Sequence, residues 1–93
     1  MIHRWSLQDN EFVINHFIRH CKTTDCELLI SRIATHIGTT KSSIKQKLLN
    51  MLFIVSNGQK GLSNYSEDSK IAVFNFLNHN RHISIEQLQF LLS

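Results

Sequence analysis

Residues 28–51 read LLISRIATHIGTTKSSIKQKLLNM, and the spacing inside this stretch decides the fold. Leu29, Ile30, Ile33, Ala34 and Ile37 recur three and four apart. That is the period of a helix with one buried face, and it predicts a helix over 26–37. Gly38 follows where a glycine ends a helix cheaply in the left-handed conformation. Thr40 is then placed to cap a new helix from Lys41 to about Ser56, with Asn57-Gly58 as its stop signal. Ala34, Gly38 and Ile44 stand at offsets of four and ten. A small residue lets two helices approach, a glycine makes the turn, and a branched apolar residue plugs the angle between them. Together they spell a helix-turn-helix unit.

The flanks extend the helical pattern. Ser6 can cap a first helix, with Asp9 and Glu11 near its positive end and Arg19 and Lys22 toward its negative end. Leu7, Phe12, Val13 and Phe17 are its apolar positions, with Ile14 and Cys21 as further candidates. Thr23-Thr24-Asp25 breaks that helix and offers the next cap. In the helix after Thr40, Leu48, Met51, Leu52 and Val55 cluster with Ile44, while Ser42, Gln46 and Asn50 fall on the far side. The segment LLNMLFIV, residues 48–55, is apolar nearly all round. Leu49, Phe53 and Ile54 therefore need cover from the rest of the chain. Ser66, Glu67 and Asp68 start a fourth helix to about Asn78, with Ile71, Val73, Phe74 and Leu77 expected inward. Ser84 and Gln87 have capping-box spacing and open a short fifth helix with Ile85, Leu88, Leu91 and Leu92 apolar.

Composition agrees. The 93 residues contain no proline and three glycines, too few turn formers for a β-sandwich or barrel. A hydrophobic fraction of 42% is ample for one core. No apolar run reaches the roughly 18 residues of a membrane span, and the start, MIHRWSLQDNEF, has no signal-peptide apolar region. The expectation is an all-α single domain over 1–93, cytoplasmic and apart from membranes. A helix-turn-helix core over 4–57 would be followed by a C-terminal helical pair over 66–93, about five helices in all.

Charge points to the function. Residues 38–60 hold Lys41, Lys45, Lys47 and Lys60 and no acid, so the whole formal excess of +3 lies in this segment. A local basic stripe suits a polyanion. In a helix-turn-helix the N-terminal half of the last helix enters the major groove of DNA. Lys41, Lys45 and Lys47 would then meet phosphates, with Ser42, Ser43, Gln46 and Asn50 near base edges and Thr39 and Thr40 beside a phosphate at the turn. About four such contacts imply a log–log salt slope near −3.6. On this reading Lys45→Glu/Lys47→Glu abolishes duplex binding and leaves the fold intact.

The first half of the chain resembles a Myb/SANT-like domain. Trp5-Ser6-Leu7-Gln8-Asp9-Asn10-Glu11-Phe12 is similar to that family's W-[ST]-x-x-[DE]-[DN] opening. Ile33 to Thr40 resembles its helix junction, and Ser43-Ile44-Lys45-Gln46-Lys47-Leu48 its third helix. The likeness covers roughly 4–52 and implies DNA binding through that third helix. Ile30 and Leu48 stand about where the family carries its later tryptophans, and Thr39 replaces a common arginine. A second likeness, over Lys47-Leu48-Leu49-Asn50, Gly61-Leu62-Ser63-Asn64 and Ser66, is to a helical segment that accompanies bacterial HNH nucleases. It implies a binding part without the nuclease.

Other chemistries lack their residues. His16, His20, Cys21 and Cys26 have no standard zinc spacing, and the carboxylates are scattered. No catalytic residue, metal or cofactor is expected. The reading is a non-enzymatic nucleic-acid binder for double-stranded DNA, a small regulator or accessory protein of phage or mobile-element type, with dimerisation through the C-terminal helices. Its rival is a protein-binding module or small inhibitor of a nucleic-acid-processing complex, anchored by Phe76, Phe90 and Leu91 if these are exposed.

Overall fold

In the computed structural model, which describes residues 3–93, every expected helix forms and each begins at a polar cap. Helix α1 spans Leu7–His20. The Ser6 hydroxyl accepts the Asp9 N–H at 3.0 Å and the Asp9 carboxylate accepts the Ser6 N–H at 3.2 Å, a closed capping box. Asp25 caps α2 (Cys26–Ile37), Thr40 caps α3 (Lys41–Val55), Ser66 caps α4 (Glu67–His79) and Ser84 caps α5 (Ile85–Leu92). Among the described residues there is no strand, and no helix is long and apolar enough to cross a membrane.

Helix α3 is the axis of the molecule and packs against all four others. Its buried stripe of Ile44, Leu48, Met51, Leu52 and Val55 meets Val13, Ile14 and Phe17 of α1 and Leu29, Ile30, Ile33 and Ala34 of α2 in one apolar cluster. Val73 and Phe76 of α4 and Leu88 and Leu92 of α5 complete it. Helix α4 has its most extensive contact with α1.

The inward face of α4 differs from the one expected. Ser69, Ala72, Val73 and Phe76 are buried, whereas Ile71 and Phe74 are exposed. The helix is turned so that Ser69 can join a polar chain from α1 to α3, described below, and this carries Phe74 outward. Phe76 is therefore a core residue and no surface anchor. Similarly Ile85 is 54% exposed, while Leu88 and Leu92 are buried.

The segment 56–66 provides cover for α3 that the sequence pattern did not suggest. It folds back along the helix so that Leu62 N–H donates to the Leu49 carbonyl at 3.1 Å. Lys60 N–H donates to the Ser56 hydroxyl at 2.9 Å. Gly61 makes this close approach with φ +90, and a Cβ there would overlap the Leu49 carbonyl oxygen and lie 2.8 Å from the Phe53 nitrogen. Gly38 also has positive φ, +87, but nothing lies within 4 Å of its hypothetical Cβ. Gly61→Ala should therefore cost about 2–4 kcal/mol in a urea titration, from backbone overlap added to conformational strain. Gly38→Ala should cost only the strain, about 1 kcal/mol. Equal losses at the two sites would show that the loop does not seat on α3.

Candidate nucleic-acid interface

The turn between α2 and α3 is built on Gly38 and Thr39. Gly38 adopts the left-handed conformation, and the N–H groups of Gly38 and Thr39 both donate to the Ala34 carbonyl, at 2.8 and 3.0 Å. One carbonyl near the end of α2 thus accepts from both residues of the turn. Ala34 and Ile44 are buried where the two helices cross. Thr40 then caps α3, its hydroxyl accepting the Ser43 N–H at 3.1 Å. The Thr40 and Ser43 hydroxyls also bond to one another at 3.1 Å, so both belong to the cap.

The nine residues singled out from the sequence fall into three groups. Lys41, Ser42, Lys45 and Gln46 are exposed along the first turns of α3. Thr39, Thr40 and Ser43 form the turn and cap beside them, with Thr40 exposed and the other two half-buried. Lys47 and Asn50 are only 7% and 8% exposed, and they leave the set of surface contacts. Ser43, Lys47, Asn50 and Ile54 follow one another at three- and four-residue steps, which makes one face of the helix. Helix α4 packs on α3 at that face, as the bond from Lys47 to Ser69 shows.

The Lys47 ammonium is held without a carboxylate partner. Its Nζ donates to the Ser69 hydroxyl at 3.1 Å and lies 4.5 Å from the centroid of the Trp5 ring. Ser69 donates to Asn10 Oδ1 at 2.8 Å, and Asn10 Nδ2 donates to the Ser6 carbonyl at 2.7 Å. This chain of donors links α3, α4 and α1. Burial pulls the Lys47 pKa below its ordinary 10.5, against a raising pull from Asp68. Asn50 Oδ1 is buried with no hydrogen-bond partner among the described residues.

A signal for this burial exists in the sequence. Asn10 interrupts the apolar stripe of Val13, Ile14 and Phe17, and Ser69 interrupts that of Ala72, Val73 and Phe76. Polar residues on buried stripes demand partners, and a nearby lysine on a surrounded helix supplies one.

The remaining cationic surface is small. Lys45 Nζ lies 3.0 Å from Glu27 Oε1, and both side chains are about half exposed, at 49% and 60%. Such a pair contributes about 0–1 kcal/mol, so a phosphate can compete for Lys45. Lys41 has no ion pair among the described residues. His16, His20, Cys21 and Cys26 do not form a metal cluster, and no group of three or more His, Cys, Asp or Glu side chains suited to a metal occurs among the described residues. Comparison with protein-family models, curated proteins and solved structures finds no match for this chain.

The Lys47 environment has a measurable consequence. The folded-state pKa lies below the unfolded one, so between the two values the unfolded chain binds more protons and stability rises with pH. The cost of burying this charge is full at neutral pH and fades as pH climbs toward 10.5. Lys47→Met should be at least as stable as the native chain at pH 7, by up to about 2 kcal/mol. That advantage should shrink on titration toward pH 10. Lys47→Glu should lose at least about 3 kcal/mol, since it buries an anion facing Asp68. Chemical denaturation at several pH values checks both, and a Lys47→Glu variant of native stability would contradict the packing.

Proposed function

We propose that this chain is a non-enzymatic nucleic-acid-binding protein, a small regulator or accessory protein that lays the N-terminal half of α3 in the major groove of double-stranded DNA. One observation carries the reading. Lys41, Ser42, Lys45 and Gln46 form an exposed row along the first turns of α3, the helix that follows the Gly38 turn. Lysines neutralise phosphates, and a glutamine can pair with an adenine edge. The spacing of Ala34, Gly38 and Ile44 and the Myb/SANT-like resemblance support the same reading.

With Lys47 inside, the footprint shrinks to Lys41 and Lys45. Two phosphate contacts give a log–log salt slope near −1.8 for duplex DNA, about half the slope expected from the sequence. Affinity for a single copy is correspondingly weak, and a second copy would double the footprint.

A second reading has its own observation. Phe90 is 79% exposed and Phe74 49% exposed. A protein-binding module would use such anchors and would respond little to salt.

Fluorescence anisotropy with a mixed-sequence duplex separates the two readings. Lys41→Glu/Lys45→Glu should abolish duplex binding while leaving the helical signal and the unfolding midpoint unchanged. Glu27→Gln should tighten binding about two- to fivefold, because it frees Lys45 and removes a like charge facing the phosphate. Duplex affinity that ignores both the salt and the Lys41→Glu/Lys45→Glu change would refute the assignment.

A further inference from the structure

Around α2 from its contact with α3, the α1–α2 boundary gathers a second set of basic groups. The Phe12 ring stacks on His36 with centroids 4.0 Å apart and planes at 11°. It also stacks on His16, at 5.0 Å and 16°. His16 in turn meets His20 at 4.5 Å. The rings therefore run in a row from His36 of α2 along one face of α1. Arg19 and Arg32 flank it, close enough to act electrostatically on His16. His36, Arg19 and Arg32 are exposed, and His16 and His20 are half-buried.

No carboxylate balances this row. The charged groups that act on His16 are His20, Arg19, His36 and Arg32, all of them basic. The acids of the same two helices and their caps are engaged elsewhere. Asp9 pairs with His3, Glu11 accepts from Asn75 of α4, Asp25 caps α2 and Glu27 pairs with Lys45. Protonation of the three imidazoles would add to the two arginines and put five positive groups on one strip of surface. Burial, followed by His20, Arg19, His36 and Arg32, holds the His16 pKa below its ordinary 6.5. Protonating His16 is thus resisted until an anion arrives.

We propose that this face, with His16, His20, His36, Arg19 and Arg32, is a proton-gated binding site for a run of adjacent phosphates, separate from the α3 surface. The groups are strung along a row and do not converge on a point, which suits a chain of phosphates better than a single one. Aromatic rings between the cations suit a phosphate strand that also carries bases. Phe12 stands between His16 and His36, so those two imidazoles do not face a common centre, and no group of side chains suited to a metal occurs among the described residues. Binding and protonation are reciprocal, so the ligand must raise the imidazole pKa values by as much as protons strengthen its binding.

The experiment titrates the full chain with tripolyphosphate and, separately, with a labelled oligothymidylate, at pH 5.5 and 7.5 and fixed ionic strength. Binding should be about tenfold tighter at pH 5.5, and saturating tripolyphosphate should raise the imidazole pKa values read by NMR. His16→Gln/His20→Gln/His36→Gln should lose the pH dependence. Arg19→Gln/Arg32→Gln, which leaves the ring stack in place, should weaken binding at both pH values. Lys41→Glu/Lys45→Glu should keep the pH dependence of binding, whatever it does to the affinity, so this site stands or falls apart from the duplex reading. A pH-dependent response to tripolyphosphate alone names a free phosphate run as the ligand, one to the oligonucleotide alone names a nucleic-acid strand, and one to both shows that the phosphates suffice. Equal affinity at the two pH values, or a pH dependence that survives the triple glutamine variant, would overturn the proposal.

Discussion

The second half of α3 is apolar on every side, and the rest of the molecule is arranged to cover it. Each large apolar side chain taken fully out of water contributes about 1.5–3 kcal/mol, and residues 48–55 supply four buried ones, Leu48, Met51, Leu52 and Val55. A surface ion pair or a single helix-propensity difference is worth a fraction of that. Helices α1 and α2 therefore take one flank, α4 and α5 another, and the loop at Gly61 closes against the backbone of Leu49 and Phe53. What remains open is the first turns of α3, which is why the cationic surface there is short.

The same covering has a polar cost, and the structure meets it with a thread of donors and acceptors. Lys47 sits at the border between the open and the surrounded parts of α3. Enclosing it takes an ammonium out of water, which is expensive unless it is paired. Ser69, Asn10 and the Ser6 carbonyl pass hydrogen bonds from α4 to α1, and the Trp5 ring faces the charge. This thread is worth more as a device of register than of stability. It has Ser69 pointing inward on the same face as Ala72, Val73 and Phe76, and that shared face leaves Ile71 and Phe74 toward solvent. Phe74 is outside for this reason, although an apolar residue at that position reads as core.

The basic groups of the chain end up on two faces with different chemistry. At the tip of α3 the charges are lysines set beside amide and hydroxyl groups. Along α1 and α2 they are imidazoles interleaved with an aromatic ring and flanked by guanidinium groups. On the readings proposed above, the first arrangement would meet a rigid duplex with a helix end and the second a flexible strand. A formal net charge of +3 gives neither face a strong long-range field, so binding at either would rest on local geometry.

Local pattern was enough for the helices. Ser6, Asp25, Thr40, Ser66 and Ser84 are caps that act within four residues, and Gly38 ends α2 for a reason confined to its own φ. The apolar stripes of α1 and α2 and the Ala34–Gly38–Ile44 spacing were equally legible, because a three-helix core is built from periods within each segment. The location of Lys47 and Asn50 was not legible in this way. Their side chains lie on a part of α3 that the first three helices leave bare, and only the arrival of α4, some twenty residues later, converts that part from surface to interior. The sequence determined by itself where each helix starts, stops and turns, since those choices are made by backbone hydrogen bonds and φ values a few residues apart. Which lysines meet solvent, and which histidines stand in a row, was decided only by the packing of whole helices, because burial depends on what a distant segment places on top.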